Sequence, residues 1–99
     1  MNMQQMLAQA QKMQRELQKA QDELKKKEFT VSKGGAVTVV VLGDKSVKSV
    51  SIDQDAFDPE NKEMVEEMVV MAIKEAHSKI DEEEAKINEA VTGRPGGLF

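Results

Sequence analysis

The chain has 99 residues, no Cys, Trp or Tyr, three Phe and seven Met, and a formal net charge of −4 with 32% of its residues charged. This is the size of one domain with a modest aliphatic core. It excludes disulfides, thiolate nucleophiles and cysteine-held zinc or iron–sulfur centres, and leaves no Trp or Tyr on which single-stranded bases could stack.

Charge is laid down unevenly. Residues 1–33 hold seven Lys/Arg against four Asp/Glu, whereas residues 34–99 hold seven against fourteen. An acidic balance argues against nucleic acid as a partner, because duplex binding depends on neutralising phosphates, and the basic N-terminal third is the exception to be weighed. The opening MNMQQMLAQAQKM has no basic segment leading into an apolar one, and the longest unbroken apolar run is Met68–Ile73. Neither an export signal nor a membrane span is expected, and the lack of cysteine fits a reducing cytoplasm.

Along the first segment, apolar residues fall at Met3, Met6, Ala10, Met13, Leu17, Ala20 and Leu24, alternating steps of three and four. That is a heptad seam, and with no Gly or Pro before Gly34 it predicts a helix from about Asn2 to Lys27. A seam of Met and Ala specifies little by itself. It is therefore expected to pack on the chain's own second helix or on a partner subunit. On the opposite side of the same helix, Lys12, Arg15, Lys19 and Lys26 form one row about 21 Å long at 1.5 Å per residue, interrupted by Asp22. Lys25, Lys27 and Lys33 extend the positive zone. The row has two readings. One is solvated surface with ordinary pairs such as Glu16–Lys19, Asp22–Lys26 and Glu23–Lys27; the other is a set of phosphate contacts along a duplex.

Next the period changes to two. Residues 28–32, 36–42 and 46–52 are rich in Val, Thr and Ile and are separated by Gly34-Gly35 and Gly43-Asp44-Lys45. They predict a three-stranded antiparallel meander. In its central strand Val37, Val39 and Val41 point one way and Thr38, Val40 and Leu42 the other. The first set belongs to the core; the second suggests a face covered by another subunit. Asp58-Pro59-Glu60 then starts a helix, with a capping carboxylate and Pro at the first position. Its stripe weakens around residues 81–86, so it is one long helix or two in tandem, ending at Gly93. The whole is an α+β fold of two layers: a single domain over residues 1–92 and a flexible tail over 93–99. Within the tail, Arg94 could reach a phosphate, or Leu98 and Phe99 could dock on a neighbour.

Little supports catalysis. His77, Asp81 and Glu84 share a helix face, but a lone His beside surface carboxylates is ordinarily just solvated. No nucleophile elbow or phosphate loop is present. No cofactor, metal or small-molecule substrate is expected.

Taken together, MNMQQMLAQAQKMQRELQKAQDEL, EFTVSKGGAVTVVVLGDKSVKSVSID, Asp58-Pro59 and the ending GRPGGLF resemble the YbaB/EbfC family of small nucleoid-associated proteins, segment for segment over essentially the whole chain. The resemblance implies a homodimer shaped like tweezers, binding double-stranded DNA with little sequence demand, located in the cytoplasm on the nucleoid and altering DNA conformation or gene expression. It turns the reading of the basic row toward phosphate, with Lys12, Arg15, Lys19 and Lys26 as main contacts and Lys25, Lys33 and Arg94 as weaker ones. Met3, Met6, Met13, Leu17 and Leu24, with Val37, Val39 and Val41, would form the dimer or core seam. The alternative is a protein-interaction or chaperone-like module gripping a partner with Met-rich arms.

Overall fold

A computed structural model describes residues 2–92. The first helix, α1, spans Met3–Lys26. It starts at a reciprocal cap in which the Asn2 side chain accepts from the Gln5 N–H at 2.8 Å and the Gln5 side chain accepts from the Asn2 N–H at 3.4 Å. It stops where the β-branched sequence begins, with the Lys27 N–H returned to the Leu24 carbonyl at 3.0 Å. Strands β1 (Glu28–Lys33), β2 (Val37–Leu42) and β3 (Val47–Ile52) form an antiparallel sheet in the order β1-β2-β3. The first turn is tight: Gly34 and Gly35 have φ of +58° and +65°, and Ala36 donates to the Lys33 carbonyl at 3.0 Å. Only a pair of residues tolerant of positive φ closes such a hairpin, which accounts for the Gly-Gly pair.

Asp58 does cap a helical start, but the turn that follows, Pro59–Asn61, is a 3-10 turn. From it the second helix, α2, runs as one element over Lys62–Thr92, continuous through residues 81–86. The weakened stripe there reflects departure from the sheet rather than a break. Ala72, Ala76 and Ile80 face β1 and β2, whereas later residues leave the sheet and meet α1. The expected end at Gly93, the tail and Arg94 lie outside the described residues.

Val31, Val37, Val39 and Val41 from the sheet and Ala72, Ala76 and Ile80 from α2 make the core. Alanines on α2 let the helix lie close to the sheet, and Ile80 is fully buried. Ile80→Ala is expected to destabilise the fold by about 2–5 kcal/mol, through lost transfer energy plus the cavity left behind. Urea titration measures this as a lower midpoint at unchanged slope.

On the outward face of the sheet Val40 pairs with Thr30 and Ser49, and Thr38 with Ser32 and Ser51, so hydroxyls flank Val40, while Leu42 pairs with Glu28. Ser32 and Thr38 share a hydrogen bond of 2.9 Å across that face. The larger apolar deficit lies elsewhere. α2 covers β1 and β2 but hardly touches β3, so Val50 stays 44% exposed although its partner Val39 is 0% exposed on the same face. The central strand alone could not reveal this, because exposure depends on where the helix lies.

Candidate nucleic-acid interface

α1 and the distal half of α2 form an arm that leaves the sheet, and the molecule measures 69 × 22 × 14 Å. The two helices run antiparallel: past the end of α1, Lys33 of β1 pairs with Glu75 at 3.1 Å, at its C-cap Lys27 pairs with Glu83 at 3.2 Å, and farther back Gln21 lines a cavity with Glu84. Burial along α1 follows that pairing. Leu24 is buried, Met13, Leu17, Ala20 and Gln21 are half-buried, and residues 2–12 are exposed. Met13, Leu17 and Leu24 thus lie on the side of α1 that packs on α2, where Ile87 and Val91 are half-buried in turn, whereas Met3 and Met6 of the same seam stay exposed.

A collar of contacts fixes the arm to the sheet. The turn between β2 and β3 packs into the angle between the helices. Gly43 donates to the Lys27 carbonyl at 2.9 Å, the His77 Nε2 lies 3.1 Å from the Lys45 carbonyl oxygen, and the Lys45 Nζ lies 2.8 Å from Asp81. The Asp81 carboxylate raises the Lys45 pKa, and hydrogen bonds from the Ser46 side chain and backbone lower that of Asp44. His77 and Asp81 do share a face, but both are engaged with Lys45. Among the described residues no group of three His, Asp or Glu side chains is arranged to hold a metal ion. Lys27 also lies 5.3 Å from the Phe29 ring centroid, so it belongs to the collar rather than to a free positive surface.

The basic row lies on the side of α1 turned away from α2. Lys12, Arg15, Lys19 and Lys26 are exposed there, and Lys25, also exposed, stands to the side, where it lines the cavity with Gln21 and Glu84. Lys12 makes only a loose pair with Glu16 at 4.0 Å, and among the described residues the other four make no ion pair. Asp22, which interrupts the row, accepts from the Gln18 side chain at 3.0 Å. The Asp22–Lys26 and Glu23–Lys27 pairs of the solvated-surface reading are not formed. Lys33 stands apart at the far end of β1, half-buried against Glu75. Asp81, Glu82 and Glu84 are exposed on α2, so the arm carries positive charge on one helix and negative charge on the other. A polyanion would meet attraction from the α1 side and repulsion from the α2 side. Sequence periodicity found the row; the acidic flank beside it became visible only once the helices were paired.

The YbaB/EbfC DNA-binding family model matches residues 1–95. A nucleoid-associated protein of Clostridium botulinum is 49% identical over 100 residues, covering 99% of this chain and 88% of that protein. Another, from Mycoplasmopsis pulmonis, is 41% identical over 91 residues, 92% of this chain and 90% of that protein. Among solved structures, an uncharacterized protein of Helicobacter pylori shares the fold with a TM-score of 0.76 at 21% identity, over 94% of this chain and 99% of that one.

Proposed function

The chain belongs to the YbaB/EbfC DNA-binding family, and on that premise we propose that it is a non-enzymatic, nucleoid-associated protein acting on duplex DNA in the cytoplasm. Lys12, Arg15, Lys19, Lys25 and Lys26 contact phosphates, so binding has little sequence demand, and any preference comes from DNA shape. One observation carries the reading: an exposed row of cations, of which Arg15, Lys19 and Lys26 have no ion-pair partner among the described residues, along the outer face of a projecting arm. Lys33, held by Glu75, is left outside this surface. The relatives named nucleoid-associated proteins support the same assignment.

The working unit is a homodimer in tweezers form, so that two arms engage one duplex and alter its conformation or the expression of nearby genes. Support comes from the bare side of β3. Val47 and Val50 are each 44% exposed and Phe57 is 78% exposed, and beside them Ile52, Ala56, Phe57, Pro59 and Val65 line a cavity of about 310 Å³. An apolar patch of this kind on the body leaves the basic rows of both copies free. Val50→Asp combined with Phe57→Asp is expected to convert a species of twice 11.0 kDa into one of 11.0 kDa, measured by light scattering. A parent that already weighs 11.0 kDa would remove the double arm.

Fluorescence anisotropy with a random-sequence duplex at two salt concentrations tests the main reading. Binding should be present at low salt and fall steeply as salt rises. No binding at low salt, or binding indifferent to salt, rejects it.

A further inference from the structure

Residues 68–73 are the longest unbroken apolar run of the chain, so α2 carries apolar side chains on two sides at that level. Ala72 lies in the core with Met68, Val69 and Ile73 packed against it, whereas Val70 and Met71 are 51% and 55% exposed. Glu66, Glu67, Val70 and Met71 line a groove on this exposed side, and Glu63 lies one turn before Glu67. Glu63 and Glu67 are exposed and make no ion pair among the described residues. The outer half of α1 has the opposite character. Leu7, Gln11, Arg15 and Gln18 follow at steps of four, four and three and so share a face, on which Gln11, Arg15 and Gln18 line a groove with Gln14. Leu7 is 60% exposed. Residues 2–15 contain Lys12 and Arg15 and no Asp or Glu, whereas residues 58–71 contain five Asp/Glu against Lys62 alone.

We propose that the outer half of α1 in one copy docks antiparallel on this acidic, apolar face of α2 in a second copy, with Leu7 against Val70 and Met71, and Lys12 and Arg15 against Glu67 and Glu63. Charge complementarity and spacing both support this occupant. Lys12 and Arg15 lie about 7.5 and 12 Å along α1 from Leu7, and Glu67 and Glu63 lie about 4.5 and 10.5 Å along α2 from Val70. Those offsets match within the reach of long cationic side chains. One chain cannot make the contact with itself. Gln21 and Glu84 share a cavity, and from that level Leu7 lies about 21 Å out along the arm while Val70 lies about 21 Å in the other direction. Each copy offers one arm and one acidic face, so the contact is head-to-tail and extends instead of closing. A few helical turns from each side with exposed ion pairs make it weak and salt-sensitive. Glu63, Glu67, Val70 and Met71 do not line the cavity beside Phe57, so the contact is compatible with the homodimer. An associated chain presents less of its basic row to a polyanion, but the association stands whether or not that row binds DNA.

Sedimentation velocity of the nucleic-acid-free protein tests the contact by exchange of charge. The parent's average mass should rise with concentration at low salt, and less at high salt. The arm variant Lys12→Glu with Arg15→Glu and the face variant Glu63→Lys with Glu67→Lys should each lose at least about tenfold in association constant. Mixed in equal amounts, the two variants should associate again, because each supplies the partner that the other repels. Net charge alone predicts the opposite for the face variant, whose two reversals bring the formal charge from −4 to zero and would promote association. All four side chains are exposed, so both variants should melt close to the parent. A parent whose mass gains nothing with concentration would overturn the proposal. So would separate variants that associate as the parent does, or a mixture no heavier than its components. Because the result is a difference between variants, it is the same whether the smallest species is a monomer or a homodimer.

Discussion

Replacing Lys12, Arg15 and Lys19 together by Glu is expected to weaken duplex binding at low salt by at least about 100-fold. The slope of log affinity against log salt should fall by about one unit for each phosphate that is no longer neutralised. Each of these side chains is exposed, and among the described residues only Lys12 has an ion-pair partner, the loose pairing with Glu16. Exposed pairs of that kind contribute little to stability, so the variant should melt close to the parent. Reversal is chosen over removal because Glu82 and Glu84 on the neighbouring helix already oppose phosphate. With these three reversed, only Lys25 and Lys26 at the base of the arm still attract phosphate. If the triple variant binds as tightly as the parent with the same salt slope, the DNA surface is elsewhere.

Gly43→Ala is expected to be the most damaging glycine-to-alanine change among the described residues. A Cβ at Gly43 would fall within the backbone carbonyl group of Leu24 and 3.1 Å from the Lys25 nitrogen. Neither neighbour is the mobile end of a side chain. Relief requires moving the end of α1 away from the β2–β3 turn, which breaks the hydrogen bond from Gly43 to the Lys27 carbonyl. The cost should reach roughly 3 kcal/mol or more, at the upper end for overpacking. In a domain of this size that lowers the melting temperature by about 12 °C or more. Calorimetry measures it, and a change of only a few degrees would mean that arm and sheet are not clamped at this point. Conformation is not the reason for glycine here. The positive φ of the turn, 74°, belongs to Lys45, so Gly43 is needed for closeness of approach.

Much of the architecture was legible because it rests on period. The three-and-four spacing from Met3 to Leu24 marks α1 to within a residue of its observed ends, and alternation in 37–42 marks the core face of β2. Asp58-Pro59 was correctly placed as a start, though its first turn is 3-10. The possible break in α2 was misleading, since loss of an apolar stripe looks alike whether a helix ends or merely leaves the sheet for solvent and α1. The basic row could be counted from position alone, but not its freedom from partners. That depends on Lys27 and Lys33 reaching across to Glu83 and Glu75 while Arg15, Lys19, Lys25 and Lys26 form no ion pair among the described residues.

Local covalent preference and periodicity are properties of neighbours in the chain, so residue order alone marked the helical segments, the meander, the alternation of the central strand and the two-faced character of α1. Relations between segments distant in the chain came only with the packed structure. The antiparallel pairing of α1 with α2 set an acidic helix beside the basic one and left Met3, Met6 and Leu7 bare. The position of α2 over β1 and β2 exposed the β3 side. A backbone-to-backbone approach at Gly43 joined the arm to the sheet. Each of these is decided by which surfaces exclude water from one another in three dimensions, and a one-dimensional pattern carries no record of that choice.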